Sequence, residues 1–186
     1  MSGTGSQNPH LVVEQVSARV DTDRLTLACA LRNRGGATIY LLHLSMYGGE
    51  PELYVRHLGD GAAEISFGLN PVLASDLPPE MTVTWLARSA GEPIAPGTTL
   101  HLEETLPVPL REPDLLLAWQ GRPAPIAEAV SRLNLVFHYA EAPAKPPLRA
   151  PRRGFDLEGA DPLEIVEPVE LSHAIPLWHT ARSSTE

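Results

Sequence analysis

The sequence predicts an all-β fold, a single antiparallel β-sandwich. Short segments in which apolar and polar residues alternate with period two recur along the chain, and turn-forming residues separate them. Proline supplies 19 of the 186 residues. Because a proline inside a helix removes a hydrogen bond and clashes with the preceding turn, a mostly helical chain is excluded. The length suits one domain of ordinary size.

The first two strands are predicted to form a hairpin. Residues 12–20 alternate, with Val12 assigned to one face and Val13 to the other. Glu14 interrupts the apolar face, which indicates a strand at the edge of its sheet. Asp21, Thr22 and Asp23 form a polar turn before a second alternating run at 25–31, and a loop that short joins antiparallel strands.

Five further segments are predicted strands, and the gaps between them are too short for crossover helices. They are residues 38–44, 53–58, 63–69, 81–87 and 100–106. The run 38–44 is apolar on both faces, which is typical of a central strand. Residues 91–97 contain two glycines and two prolines, so we expect a turn there.

The second half of the chain is less regular. The apolar run at 115–119 lies among prolines and fits either a buried strand or one helical turn, and residues 126–130 permit a short helix. Residues 132–139 alternate clearly and predict a strand. The final strand either returns to its own sheet, which we favour, or adds to the sheet of a partner. The predicted organisation is a disordered leader at 1–9, a β-sandwich domain at 10–140, a proline-rich charged loop at 141–162, a final strand at 163–178 and a frayed tail at 179–186.

Short strands separated by proline and glycine turns resemble immunoglobulin-like sandwiches in general form. The paired cysteines and the intervening tryptophan of true immunoglobulin domains are absent, since Cys29 is the only cysteine. No disulfide within the chain is possible. Cys29 alternates with leucines on one face of its strand, so we expect a buried, unreactive thiol.

Charge and hydropathy exclude several classes of protein. Lys and Arg total 14 against 23 Asp and Glu, a net charge of −9, which argues against nucleic-acid binding. No apolar run is long enough for a membrane-spanning helix. Residues 1–9 lack the basic and apolar regions of a secretion signal. We therefore expect a cytoplasmic protein without membrane contact.

No catalytic motif is present. The chain has no nucleophile-elbow sequence and no phosphate-binding loop, and its glycine pairs fit turns. Glu103 and Glu104 are sequence neighbours, so they lie on opposite faces of a strand and cannot act as an acid–base pair. We expect neither an enzyme nor a bound cofactor.

Seven histidines are the most obvious candidate ligands, yet none has metal-binding spacing. They are His10, His43, His57, His101, His138, His173 and His179. The closest pair, His173 and His179, would lie about 20 Å apart along one strand, too far to share an ion unless the chain turned at Pro176. His43 and His173 have apolar neighbours and fit core or boundary positions. We therefore predict no metal site.

The charged segment at 141–162 carries the main functional prediction. Four basic residues, among them Arg149, Arg152 and Arg153, precede a run of six acidic residues. The sequence favours a non-catalytic protein–protein interaction or assembly module that contacts another protein, or a second copy of itself, through these three arginines or an exposed sheet edge. The alternative is a sandwich that binds a small ligand or metal through loop histidines at positions 43, 57, 101 or 138.

Overall fold

The computed structural model of the chain describes residues 10–45, 53–67, 88–112, 125–141, 148–149, 155–156 and 163–179. Every regular element in this part of the chain is a β-strand, so the predicted all-β class is confirmed. The strands form two sheets. None of the described residues belongs to a helix long and apolar enough to cross a membrane.

The two longest strands, β9 and β12, organise the larger sheet. In chain order the strands are β1 (Leu11–Val20), β2 (Arg24–Asn33), β3 (Ile39–Ser45), β4 (Tyr54–Gly59), β5 (Ala62–Phe67), β6 (Arg88–Ile94), β7 (Thr99–Pro107), β8 (Leu110–Arg111), β9 (Ile126–Glu141), β10 (Leu148–Arg149), β11 (Phe155–Asp156) and β12 (Leu163–His179). The longer ones fall where the sequence alternates with period two.

The first sheet has three antiparallel strands in the order β1-β2-β7. β1 and β2 form the predicted hairpin, and β1 is an edge strand, as predicted. One detail of the prediction is wrong, because Val13 rather than Val12 packs against the core. A bulge at Glu14 shifts the pairing between Val13 and Gln15, and the extra residue inverts the alternation on its N-terminal side.

The second sheet is built around β9. β12 pairs antiparallel with β9 along most of its length. β5 and β3 pair with successive parts of β9, and since a strand has two edges they share the edge opposite β12. β4 extends the sheet from β5, while β6, β11 and β10 extend it from β3. The pairs β5–β9 and β8–β12 are parallel, so the prediction of a purely antiparallel fold is wrong for them.

Two local predictions are also wrong. Residues 126–130, for which the sequence permits a short helix, are the first part of β9, because pairing with β12 holds them extended. The turn expected at 91–97 begins later, since β6 remains paired with β3 as far as Ile94. Gly97, at a φ of 72°, then forms the tight part of the turn.

The final strand, β12, returns to its own sheet, where most of its residues pair with β9. An irregularity between Glu170 and Ile175 interrupts the ladder, after which pairing resumes to the end of the strand. The predicted strand at 81–87, the apolar run at 115–119 and most of the loop at 141–162 lie outside the described residues. The domain boundaries stay predictions.

One apolar core contains residues of both sheets. Leucines of β1 and β2 pack with the inward face of β9 and β12, and Val16 and Ala18 of β1 add partly buried contacts. Each fully buried leucine or phenylalanine stabilises the fold by about 1.5–3 kcal/mol. The largest fully buried side chains are Leu11, Leu25, Leu27, Leu31, Ile39, Leu41, Ile65, Ile94, Leu110, Leu133 and Phe137.

One polar side chain, Asn33 at the end of β2, is fully buried at 0% exposure. Its amide nitrogen donates to the carbonyl oxygens of Ala37 and Ile94, each at 2.8 Å. Its amide oxygen accepts from the backbone N–H of Gly35 at 2.8 Å, and its own backbone pairs with the β6–β7 turn. Asn33 therefore joins two connections of the chain, the β2–β3 loop and the β6–β7 turn, at one point.

Candidate histidine and carboxylate site

The β4–β5 turn is fixed against β9, and this contact positions the candidate site. Gly59, Asp60 and Gly61 all have positive φ, which the two glycines adopt without a side-chain clash. The carbonyl oxygen of Gly61 accepts hydrogen bonds from the backbone N–H groups of Ser131 and Arg132, at 2.9 and 3.2 Å. The hairpin consequently lies across the N-terminal half of β9.

His57 lies on the core-facing side of this hairpin. It is paired with Ala63, and Val55, two residues earlier on the same face, belongs to the core. The ladder shifts register between His57 and Gly59, so a bulge at Leu58 follows the histidine directly. Bulges of this kind redirect neighbouring side chains and are common beside functional sites.

Glu128 and His179 come from the neighbouring ladder of β9 and β12. Glu128 is paired with Leu177 and His179 with Ile126, so the two side chains are diagonal neighbours on one face. Leu177 is a core residue. This face is therefore the inner one, and the two residues lie at the rim of the core, where β12 ends and β9 begins.

Three side chains converge at this rim. Nε2 of His57 lies 2.9 Å from Oε2 of Glu128, and Nε2 of His179 lies 3.3 Å from Oε1 of the same carboxylate. The two imidazole rings stack, with centroids 4.0 Å apart and an angle of 16° between their planes. The histidine side chains are 14% and 9% exposed, against 44% for Glu128. One carboxylate thus bridges two nearly buried imidazoles.

These ligand atoms form a set suited to a metal ion. They all lie within 4.8 Å of one another. Tetrahedral Zn²⁺, with bonds of about 2.0–2.2 Å to nitrogen and oxygen, holds its ligand atoms about 3.3 Å apart. The stacked rings must open from their present separation to about 5 Å for both lone pairs to point at one ion.

The Nε2 atom of His57 is not hydrogen-bonded. It is shielded from solvent, and its contact with Glu128 has ion-pair distance but not hydrogen-bond geometry. A buried polar atom left in this state costs about 1–3 kcal/mol. Coordination of a cation would use the lone pair of this nitrogen and remove that cost.

The other described histidines do not join this cluster. His10 contacts Glu141 at 2.6 Å on the surface, and Ser172 lies 3.1 Å from the exposed His173. His101 is exposed on β7. Of the four histidines in the alternative prediction only His57 belongs to the site, His138 lies elsewhere, and the side chain of residue 43 is outside the described part.

His138 occupies a second polar cluster, on the other face of β9. Its Nε2 lies 3.3 Å from the Glu164 carboxylate, and next to it Arg56 pairs with Glu64 at 2.6 Å. Burial lowers the pKa of His138, and the two carboxylates, which raise it, only partly oppose that shift. Among the described residues no third ligand converges here, so this cluster is not a metal set.

Cys29 is buried and free, as predicted. Burial raises the pKa of its thiol to about 11, and the nearby charge of Glu167 acts in the same direction. The thiolate needed for nucleophilic attack or metal binding is therefore scarce at neutral pH.

The predicted partner contacts are described only in part. Arg149 ends the short strand β10, where it is paired with Phe155. Arg152 and Arg153 lie outside the described residues. The role of the three arginines stays a prediction.

No protein-family model, no curated protein and no solved structure matches this chain.

Proposed function

We propose that this chain is a non-catalytic metal-binding β-protein in which His57, Glu128 and His179 hold one divalent transition-metal ion. The convergence of their ligand atoms within 4.8 Å at the rim of the core carries this proposal. Two imidazoles and one carboxylate form a ligand set that suits zinc and neighbouring transition metals and is a poor match for Mg²⁺ or Ca²⁺.

The position of the site gives the ion a structural consequence. His57 belongs to β4, while Glu128 and His179 belong to the paired strands β9 and β12. An ion would therefore tie the β4–β5 hairpin to the end of the chain's last strand. Because the ligands come together only in the folded state, metal at 100 times its Kd would stabilise the fold by about 2.7 kcal/mol.

Zinc titration by calorimetry tests the proposal. Wild-type protein without a tag should take up one Zn²⁺ per chain, and His57→Gln and His179→Gln should each weaken binding at least tenfold. His173→Gln is the matched control, since this histidine lies on the same strand as His179 but is exposed. Circular dichroism checks that the variants fold. Absence of saturable binding, or equal affinity in folded ligand variants, would overturn the proposal.

An interaction or assembly module is the second candidate. Within the described residues, β1 and β7 each pair on one side only, so each leaves an edge to which a strand of another protein could be added. Exposed large apolar residues, including Leu163 and Val166 of β12, offer additional contact area. An immunoglobulin-like sandwich form and a cytoplasmic location are part of this second candidate.

Native mass spectrometry tests this second candidate. Untagged protein purified from its own host should have the mass of a multimer or of a complex with another protein. Replacing Arg149, Arg152 and Arg153 together by serine should dissociate that species. A monomer of 20.1 kDa at every concentration would contradict the assembly proposal.

A further inference from the structure

We infer that the metal ion in this site keeps one coordination position open and takes a small monoanion there. This inference rests on the proposed metal site. Three ligand residues converge in the described part of the chain. Structural zinc sites are closed by four protein ligands, whereas three protein ligands leave a position for solvent or an exogenous ligand.

The exposure of the three ligands shows where the open position lies. The two imidazoles are nearly buried, and their stacked rings occupy the core side of the site. Glu128, at 44%, is the exposed member. An incoming ligand therefore reaches the ion from the solvent side, beside the carboxylate.

The net charge of the metal site determines which class of ligand it would favour. Two neutral imidazoles and one carboxylate around a divalent ion leave a net charge of +1, which a monoanion neutralises. Ile126, opposite His179, and Leu58, next to His57, are each 41% exposed, and neither competes for the ion. The ligand class is a small monoanion that binds the ion through one of its atoms, as azide or a carboxylate can.

Cobalt substitution tests the inference on the full chain, because the visible bands of Co²⁺ change when its coordination changes. Azide and acetate are the probes, and perchlorate at equal ionic strength is the control for salt. The protein loaded with Co²⁺ should show a saturable change in its bands with one azide, and with one acetate, per bound ion. The control variant His173→Gln should behave like the wild type.

The outcomes separate the two proposals. If Co²⁺ binds with one ion per chain but neither anion alters its bands, a fourth protein ligand closes the site, and the inference is wrong while the metal site stands. If Co²⁺ fails to bind, or binds equally well to folded His57→Gln, both are wrong. A perchlorate response equal to that of azide would also overturn the inference.

Discussion

Two sets of polar side chains at the edge of the core differ in their hydrogen bonding. One is Asn33, and the other is the site of His57, Glu128 and His179. The side chain of Asn33 is completely buried and uses three hydrogen bonds of 2.8 Å to join separate connections. The side chain of His57 is 14% exposed, and its buried Nε2 has no hydrogen bond. The first arrangement is complete in the protein alone, whereas the second leaves a buried nitrogen without a hydrogen bond, which the proposed metal ion would use.

This difference distinguishes a structural polar group from a candidate ligand. A buried polar residue with all its partners present contributes stability and uniqueness of fold. A buried polar atom without a partner is a cost unless a ligand uses it. Four predictions follow this contrast from its strongest consequence to its weakest.

Asn33→Ala should cause the largest loss of stability, about 3 kcal/mol, because it leaves two carbonyl oxygens and one N–H without their partner. Urea unfolding measures the change. Thr98→Val is the control, since it removes an exposed hydrogen bond to Ala95 and should cost less than about 1 kcal/mol. Similar losses for the two variants would contradict the structural role of Asn33.

His138 should make stability depend on pH. Burial lowers its pKa below the ordinary 6.5, so below that pH the unfolded chain binds a proton that the folded protein does not. Stability contributed by this group is complete above pH 6.5 and falls with decreasing pH, by at most about 1.4 kcal/mol per pH unit.

Urea unfolding between pH 5 and pH 8 measures this slope. His138→Gln should be less sensitive to pH below 6.5 than the wild type, and His173→Gln, at an exposed position, serves as the control. Equal slopes for wild type and His138→Gln would show that this histidine is not held neutral.

Without metal, His57→Gln should change the free energy of unfolding by less than about 1 kcal/mol, since its Nε2 makes no hydrogen bond to lose. With saturating Zn²⁺ the wild type should gain stability and the variant should not. Unfolding of both proteins in chelator and in zinc gives the comparison. A loss in chelator as large as that of Asn33→Ala would identify His57 as a structural residue instead.

Arg19→Ala should have the smallest effect, below about 0.5 kcal/mol. Its ion pair with Asp21 at 2.9 Å is exposed on both sides, and such pairs stabilise proteins little. The same unfolding assay measures it at low and high salt. A larger loss that disappears at high salt would contradict the expectation that this exposed ion pair contributes little.

The strands were predictable because alternation is a local property. The hairpin of β1 and β2 and the central run of β3 follow directly from period two. The bulge at Glu14 was not predictable, because the position of an extra residue in a ladder is set by pairing with the partner strand. The strand at 126–130 also depends on its neighbour, since pairing with β12 overrides a sequence that permits a helix.

Of the candidate metal site, the sequence indicated only that histidines were possible ligands. His57 was among the candidates, but its partners lie 71 and 122 residues further along the chain, at Glu128 and His179 (128 − 57 and 179 − 57). No spacing of residues within a short sequence segment indicates a contact between residues this far apart. The register of β9 with β12 and the docking of the β4–β5 turn create it. A knowledge of strand pairing would have been needed to find it.

X-ray absorption at the zinc edge of the zinc-loaded protein tests the central claim most directly. It should show two imidazole nitrogens at about 2.0–2.1 Å together with oxygen ligands, and one imidazole fewer in His57→Gln. A zinc ion coordinated by oxygen alone, or an imidazole count unchanged in that variant, would contradict the claim that His57, Glu128 and His179 form a metal site.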